Sequence, residues 1–420
     1  MGSAPEEYMR KRKVTVTGKD KQLQGKKMRL FEEKEKNKQL IMTYLIFTIN
    51  GMLALSIGAL LPFIREAKGL EYAFSGMLVS IHSVGNLISS FFGGTLAVRF
   101  GRKRSILFFN ACLSISFLMI LVSGNMAWLV LAFLMTGLAR GATSNFCNAV
   151  INDLAPGKAG IVNGLHAMFS LGAFMFPIIL MGMTSSNADN WTYGCVLMLV
   201  MGIVSWLLYL FIPVQNPVAQ KEKGNTGYGF FKEPMFYLVI VTMFFYLCAE
   251  QGVIGWLVTY FKDTGLLSPS LSQLMASVQW IMILAGRLTA AWLTTKVKKE
   301  KLLPVMGIGL VAFFLLLINS HTTPWIVFGI MGFGFSMAGI YPTTVSFSGK
   351  LNQKYPLCWS FILTGASMGS ILMPSVIGKI AESAGIGAGM SSVAVAVIVD
   401  LICIIALVTY SSKKSKQEEV

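Results

Sequence analysis

The sequence predicts an all-α membrane protein in which twelve transmembrane helices form two pseudo-symmetric halves of six. Hydrophobic residues make up 54% of the 420-residue chain, charged residues only 13%, and the mean hydropathy is +0.64. A water-soluble globular protein carries far more charge on its surface. Long apolar segments also recur along the chain, and a polar stretch near its middle separates six of them from six others. These observations exclude an ordinary soluble domain.

Each predicted span is long enough to cross a bilayer, because about 20 helical residues cover a hydrocarbon core of ~30 Å. The spans are separated by short polar breaks that contain most of the charged residues. The predicted spans are residues 40–64, 74–98, 105–123, 127–153, 159–183, 192–213, 236–261, 271–295, 302–319, 324–349, 356–380 and 390–410.

The distribution of basic residues predicts the orientation of these spans. Of the 35 Lys and Arg residues, 29 fall on the face that carries both termini and four on the other face. Because cytoplasmic loops are enriched in Lys and Arg, both termini are expected in the cytoplasm of a cell membrane, a bacterial inner membrane or plasma membrane. The net charge of +16 resides in these loops, so nucleic acid is not an expected partner.

The polar stretches divide the chain into five parts. Residues 1–39 form a basic cytoplasmic tail, 40–213 the N-terminal half, 214–235 a cytoplasmic linker, 236–410 the C-terminal half and 411–420 a second tail. The basic residues of the first tail either bind anionic membrane lipids or are simply solvated.

A repeated motif supports the division into related halves. The pattern Gly172-x4-Pro177 returns 197 residues later as Gly369-x4-Pro374. Transporters built from repeated halves bind substrate near the middle of the membrane, between the halves.

Charged residues inside the spans are the first candidates for function. A charge at mid-span costs roughly 2.5–3.5 kcal/mol on insertion scales, so it normally faces the bundle interior or a watery cavity. Glu250 lies near the middle of residues 236–261, and Arg140 lies inside 127–153. Glu250 serves either in function or in helix packing. Arg140 requires a partner, for which Glu250 and Asp400 are the acids well inside spans.

Polar side chains on the fourth and fifth spans form a second group. Asn145, Asn148 and Asn152 are spaced i, i+3 and i+7, which places three amides in one stripe on a helix. The stripe either lines a cavity or joins neighbouring helices by hydrogen bonds. Asn163 and His166 lie three residues apart on the fifth span, and His166 either contacts substrate or plays a structural part.

The loop between the second and third spans resembles a known signature. Its sequence GGTLAVRFGRKR, Gly93 to Arg104, is similar to the motif of the major facilitator superfamily, although Val98 stands where that motif has Asp. The resemblance implies a twelve-helix facilitator whose loop arginines help to latch one face; the alternative is that these residues only set orientation. The candidate gating residues are Arg99, Gly101, Arg102, Arg104 and, on the eighth span, Arg287.

Further residues resemble the fucose permease-like branch of this superfamily, including Asn163 and His166, Glu250, and Tyr341 beside Pro342. The resemblance implies a monomer that imports a sugar, typically with protons. Sugars suit amides, carboxylates and aromatic rings, because they offer hydroxyl groups and flat C–H faces. The predicted substrate-binding residues are Asn50, Asn145, Asn148, Asn163, His166, Glu250, Gln251, Trp256, Tyr260, Gln279, Trp280 and Tyr341.

Proton coupling is assigned to Glu250, with Arg140 or, alternatively, His166 as its modulator. The branch often has an acid in the first span, where this chain has Asn50, so a uniporter is an alternative. An exporter of amphipathic compounds and a non-transporting receptor or scaffold are further alternatives. No paired nucleophile and base, phosphate-binding loop or metal-ligand spacing is evident, so neither enzymatic activity nor a cofactor is expected.

Overall fold

The computed structural model describes residues 18–156, 158–213, 227–355 and 357–418, and these residues are helical almost throughout. Two short 3-10 turns, Ala188–Asn190 and Gly229–Lys232, precede the sixth and seventh long helices. The helices of the N-terminal half are α1 (Gly18–Ala67), α2 (Tyr72–Phe100), α3 (Arg102–Val122), α4 (Met126–Leu154), α5 (Ala159–Thr184) and α6 (Trp191–Phe211). Those of the C-terminal half are α7 (Pro234–Asp263), α8 (Pro269–Leu293), α9 (Lys299–Asn319), α10 (Thr323–Met337), α11 (Ile340–Phe347), α12 (Gly349–Lys354), α13 (Leu357–Ser391) and α14 (Val393–Glu418).

Each predicted span falls on helical chain, which confirms the all-helical membrane fold. Ten stretches within the described ranges are long and apolar enough to cross a membrane, and the last, Leu357–Lys414, covers α13 and most of α14. Gly385, with φ of 84°, kinks the chain near the end of α13. A positive φ favours glycine, which has no side chain to clash, so the chain turns towards α14 at a glycine.

The first helix is longer than expected. The sequence predicts a span that begins at residue 40, whereas α1 begins at Gly18. Residues 18–39 are rich in Lys, Gln and Glu, which favour helix, so the apolar span continues back into a polar extension. Residues 1–17 of the predicted tail, residues 214–226 of the predicted linker, and residues 419–420 lie outside the described residues.

The tenth span is broken into two helices at a proline. The sequence predicts that Tyr341–Pro342 interrupts the regular helix, and α10 ends at Met337 while α11 begins at Ile340. A proline ring clashes with the carbonyl four residues earlier, here that of Ala338, which explains why the break precedes the proline.

Equivalent helix crossings hold each half together. In the N-terminal half, Gly172 of α5 packs directly on the backbone carbonyl of Thr48 in α1. In the C-terminal half, Gly369 of α13 packs on the carbonyl of Phe244 in α7. Both crossings need a residue without a side chain because the backbones approach so closely. The 197-residue spacing of the motif thus corresponds to one packing contact that occurs in both halves.

The two halves meet chiefly along the helix pairs α1 with α7, α2 with α13, and α5 with α8. An even number of crossings places both termini on one face, called here the terminal face; the opposite face carries the ends of α1 and α7 and the starts of α2 and α8. On the side of the opposite face, residues 51–64 of α1 and 252–261 of α7 are buried without exception. The halves are therefore packed together towards the opposite face.

Candidate functional site

Three charged side chains within the membrane spans lie around the interface of the two halves. Arg140 belongs to α4 of the N-terminal half, and Glu250 and Arg287 belong to α7 and α8 of the C-terminal half; all three are half-buried. The charges of Arg140 and Glu250 interact across the interface. Arg287 interacts electrostatically with Tyr246, which in turn hydrogen-bonds to Glu250. The structure therefore groups two predicted site residues, Glu250 and Arg140, with an arginine assigned to gating.

Arg140 is held by a histidine of α2. Nη1 of Arg140 lies 3.3 Å from Nε2 of His82, and Nδ1 of His82 lies 2.8 Å from Oγ1 of Thr136. Because a guanidinium only donates hydrogen bonds, Nε2 must accept, so the proton of the neutral ring is on Nδ1 and is donated to Thr136. The Thr136 hydroxyl donates in turn to the carbonyl of Phe133. This chain fixes the position of Arg140.

Glu250 is surrounded by donors and an aromatic pair. The Tyr246 hydroxyl donates to Oε1 of Glu250 at 3.1 Å, one helical turn away, and Nε2 of Gln251 lies 3.5 Å from Oε2. The ring of Tyr341 in α11 lies 6.1 Å from that of Tyr246. Tyr341 and Gln251 are half-buried. Together with Glu250 and Tyr246 they form one polar group on the C-terminal half.

An aromatic row crosses from one half to the other beside these charges. The exposed ring of His166 lies 5.8 Å from Phe47, Phe47 lies 5.4 Å from Phe169, and Phe169 lies 5.6 Å from Trp280 of the C-terminal half. The charge of Arg287 also acts on His166. His166 is thus near the charge of Arg287, and the row of rings connects it to Trp280 of the other half.

The remaining predicted substrate residues have partners of their own or stand apart. The Nδ2 atoms of Asn145 and Asn148 donate to the carbonyls of Ser90 and Ser144, and that of Asn50 donates to the Ser144 hydroxyl. Asn163 is exposed on the first turns of α5. Their roles in substrate binding stay predictions.

Two predicted aromatic residues and one amide are buried, and within the described ranges their hydrogen bonds and ring contacts are with residues other than Glu250. Trp256 donates from Nε1 to the carbonyl of Pro374 at 3.1 Å, and Tyr260 packs on its neighbour Phe261 nearer the opposite face. Gln279 is 1% exposed. The structure does not bring these side chains together with Glu250.

The loop with the signature-like sequence is anchored within the N-terminal half. Arg102 forms an ion pair with Asp153 at the end of α4, with 2.6 Å between Nη1 and Oδ2. Lys103 donates from Nζ to the carbonyls of Leu210 and Ile212, at 2.7 and 2.8 Å. Lys103 thereby caps the carbonyl end of α6. Val98, in place of the usual Asp, is exposed.

The main polar contacts between the halves lie at the opposite face, where the sequence analysis placed no gating residue. We call this group the opposite-face latch; its members are Arg65, Glu66, Tyr72, Lys262, Asp263 and Glu382. Nη2 of Arg65 lies 2.5 Å from Oδ2 of Asp263, and Lys262 pairs with Glu66. The two ion pairs cross between the end of α1 and the end of α7.

Tyr72 joins the latch at the start of α2. Its hydroxyl donates to Oδ2 of Asp263 at 2.9 Å, its backbone N–H donates to Glu382 of α13 at 2.7 Å, and the guanidinium of Arg65 lies 4.3 Å above its ring. Burial, followed by the hydrogen bond to Asp263, raises the pKa of Tyr72 to about 12, so the hydroxyl stays a donor at neutral pH. The latch therefore ties α1 and α2 to α7 and α13.

A repeat in the sequence could have indicated the latch. Arg65–Glu66 ends α1, and Lys262–Asp263 follows at the equivalent place in α7, again 197 residues later. Each basic residue pairs with the acid of the other half.

Deeper hydrogen bonds extend the closure below the latch. The hydroxyls of Ser80 and Ser375 lie 2.7 Å apart, and Ser277 donates to the carbonyl of Phe174 at 2.8 Å. Nε2 of Gln273 donates to the carbonyl of Ala59 at 2.8 Å.

In the described ranges no group of three or more His, Cys, Asp or Glu side chains could hold a metal ion.

Comparisons with known proteins agree with this architecture. The family model of the Major Facilitator Superfamily matches residues 42–353. Proteins described as TsgA homologs from Yersinia pseudotuberculosis and Yersinia pestis are 22% identical over 362 residues, which cover 83% of this chain and 90% of each relative.

Solved structures share the fold at low identity. A mutant of the nucleoside transporter NupG superposes with a TM-score of 0.73 at 13% identity, covering 89% of this chain and 99% of that one. A bacterial homolog of the human lysosomal transporter Spinster, inward-facing and occupied, gives a TM-score of 0.73 at 15% identity, covering 89% and 96%. Since the family model spans most of the sequence, the chain belongs to the Major Facilitator Superfamily, and the protein is a membrane transporter of that type and not an enzyme.

Proposed function

We propose that this transporter imports a sugar or a closely related hydroxylated solute by alternating access, coupled to protons. The observation that carries the proposal is the polar group at the interface of the halves, with Arg140 on one side and Glu250 and Tyr246 on the other. Charged groups inside a membrane protein mark pathways for substrates and ions. The resemblance to the fucose permease-like branch supports a sugar as the solute.

The closed opposite face supports alternating access. The latch and the serine pair beneath it hold the halves together on one side, while Asn145, Asn163 and His166 on the helices nearer the terminal face are exposed. With the termini in the cytoplasm, this arrangement corresponds to a state open to the cytoplasm. Separation of the latch and closure near the terminal face would present the same site to the other side.

Glu250 is the proposed proton carrier. It faces the charge of Arg140 across the interface, so its protonation removes an attraction that holds the two halves together. Coupling requires in addition that substrate binding favours the same movement of the halves.

Uptake by purified protein in proteoliposomes tests this function. A panel of neutral and acidic sugars is supplied with a pH-sensitive dye inside the vesicles, and Glu250→Gln is compared with Glu33→Gln, which changes an exposed acid outside the predicted spans. We expect uptake with proton entry in the wild type and in Glu33→Gln, and loss of the proton signal in Glu250→Gln. Sugar movement without protons would leave a uniporter, and no uptake of any sugar would contradict the proposed solute.

A further inference from the structure

A basic cavity opens at the terminal face between the end of α2 and the start of α3. Its volume is about 410 Å³, and it is lined by Val98, Arg99, Phe100, Gly101, Lys103 and Arg104. Arg99 and Arg104 are exposed, whereas Lys103 is half-buried and donates to the end of α6. Val98 occupies the position at which the related motif has Asp, so no carboxylate is among the described residues that line the cavity.

The two exposed arginines of this cavity are not neutralised within the described ranges. Their neighbour Arg102 pairs with Asp153 of α4, but neither Arg99 nor Arg104 has a carboxylate within ion-pair distance. The guanidinium of Arg99 lies 5.5 Å from the centre of the Phe100 ring, which supplies no negative charge. Both guanidinium groups can therefore bind an anion from outside the chain, and their planar pairs of N–H groups fit the oxygens of a phosphate.

An exposed apolar face of α3 continues from this cavity into the membrane. The exposed residues that follow Arg104 at helical spacing, on one side of the helix, are Phe108, Ile115, Leu118 and Val122. From Phe108 to Leu118 the helix rises ~15 Å, about half of a hydrocarbon core of ~30 Å. In a chain that spans a membrane, such a face contacts acyl chains. Arg104 therefore lies where the headgroup of a lipid meets those chains.

The same arrangement returns in the C-terminal half, between α8 and α9. At the 197-residue offset of the repeat, Arg99 corresponds to Lys296, and Arg104 corresponds to Lys301. The exposed residues that follow Lys301 on α9 are Val305, Ile308, Ala312 and Leu315. Each half thus has a basic residue at the terminal-face end of a helix face that contacts lipid.

The two loops differ in their cations. The C-terminal loop has lysines, and Nζ of Lys296 lies 4.0 Å from the centre of the Trp292 ring. Glu300, beside Lys301, stands where the N-terminal loop has Lys103. A lysine attracts an anion as a point charge, whereas an arginine holds two phosphate oxygens in a fixed geometry. A specific phosphate site is therefore expected in the N-terminal loop, and general attraction to the membrane surface in the C-terminal loop.

We infer that the loop between α2 and α3 binds one anionic phospholipid, whose phosphate is held by Arg99 and Arg104 and whose acyl chains lie along the exposed face of α3. The phosphate brings the negative charge that the described residues around the cavity do not supply. The apolar face beside the cavity favours a phosphate that carries acyl chains over a soluble one. With the termini in the cytoplasm, the lipid belongs to the cytoplasmic leaflet, whose surface is negatively charged. Such binding does not depend on which solute the transporter carries.

Native mass spectrometry of the full-length protein, released from detergent micelles, measures this binding. The protein is titrated with phosphatidylglycerol and with phosphatidylcholine of identical acyl chains, and we expect the first phosphatidylglycerol to bind about 5- to 10-fold more tightly. The double variant Arg99→Gln with Arg104→Gln should weaken phosphatidylglycerol binding by ~10-fold, as for loss of charged hydrogen-bond donors. The matched control, Lys296→Gln with Lys301→Gln, removes two charges at equivalent exposed positions and should change this affinity by less than about twofold, since distant exposed charges are screened.

An excess of free glycerol 3-phosphate distinguishes the lipid from a soluble phosphate, and it should not displace phosphatidylglycerol. Displacement would assign the cavity to soluble anions and overturn the lipid assignment. Equal losses in the two double variants would show only general attraction to a basic surface, and equal affinities for the two lipids would show no recognition of charge; either result overturns the site. The comparison of the two lipids uses wild-type protein, so it tests the inference without any variant.

Discussion

His82 shows how a single side chain can define the chemistry of the site. It accepts from Arg140 and donates to Thr136, and it is 2% exposed. A ring between two partners of this kind is fixed in one tautomer and holds the guanidinium in place. The sequence alone gives His82 a weaker claim to a role than His166, because nothing in it pairs a residue of the second span with one of the fourth.

Replacing His82 tests whether it positions Arg140. His82→Leu leaves a buried guanidinium N–H and the Thr136 hydroxyl without their partner, which costs roughly 1–3 kcal/mol of stability. We expect a lower melting temperature and weaker solute binding. In His82→Gln, the amide can both accept and donate a hydrogen bond, so it should restore much of the melting temperature and of the solute binding. Equal loss in the two variants would contradict a positioning role.

Asp400 allows a second prediction, because its oxygens have no partner in the described part of the chain. If Asp400 is neutral and takes no part in coupling, Asp400→Asn replaces one neutral group by another of the same shape. The melting temperature should then change little, and uptake should keep its dependence on pH. Loss of that dependence in Asp400→Asn, with Glu250→Gln still coupled, would instead make Asp400 the proton carrier.

At the scale of helices, the sequence was informative wherever a local rule applies. Apolar length located the spans, Pro342 located the break between α10 and α11, and the repeated Gly-x4-Pro motif located equivalent crossings. Local rules do not show which side chains meet. Trp256 shares α7 with Glu250, yet it donates to Pro374 of α13 and packs towards the opposite face.

The glycine crossings predict a difference between two positions on one helix. A Cβ atom at Gly172 would overlap the Thr48 carbonyl, whereas one at Gly182 meets nothing within 4 Å. Gly172→Ala should destabilise the protein by roughly 1–3 kcal/mol, because backbone cannot yield as a side chain can. Gly182→Ala should be neutral or stabilise it by up to about 1 kcal/mol, since alanine favours helix. Thermal unfolding in detergent measures both, and equal effects would argue against the close crossing.

For the whole molecule, the relation between the halves is the feature that the sequence left open. The distribution of Lys and Arg predicted that both termini lie on the cytoplasmic face. The signature-like loop placed most of the predicted gating residues on that same face. The ion pairs between the halves lie instead at the opposite face, where Arg65 pairs with Asp263 and Lys262 with Glu66. These residues lie at the ends of predicted spans, where charged residues are ordinary, so only the 197-residue repeat distinguishes them.

The latch predicts how the population of states responds to charge. The side chains of Arg65 and Asp263 are only 19% and 10% exposed, so their pairing is screened less than that of a surface pair. Asp263→Arg places two cations together and should shift the protein towards a state open at the opposite face. The double variant Arg65→Asp with Asp263→Arg restores an opposite pair and should return the population towards that of the wild type.

A disulfide below the latch provides the measurement. Because the Ser80 and Ser375 hydroxyls lie 2.7 Å apart across the interface, cysteines at both positions should cross-link in the state closed at the opposite face. Oxidation should stop transport, and reductant should restore it, since alternating access requires these positions to separate. In the Asp263→Arg background the initial cross-linking rate should fall several-fold, as expected if an ion pair worth about 1 kcal/mol is replaced by repulsion. The charge-swapped pair should recover the rate; an unchanged rate in Asp263→Arg would mean that the apolar helix contacts, and not the latch, close this face.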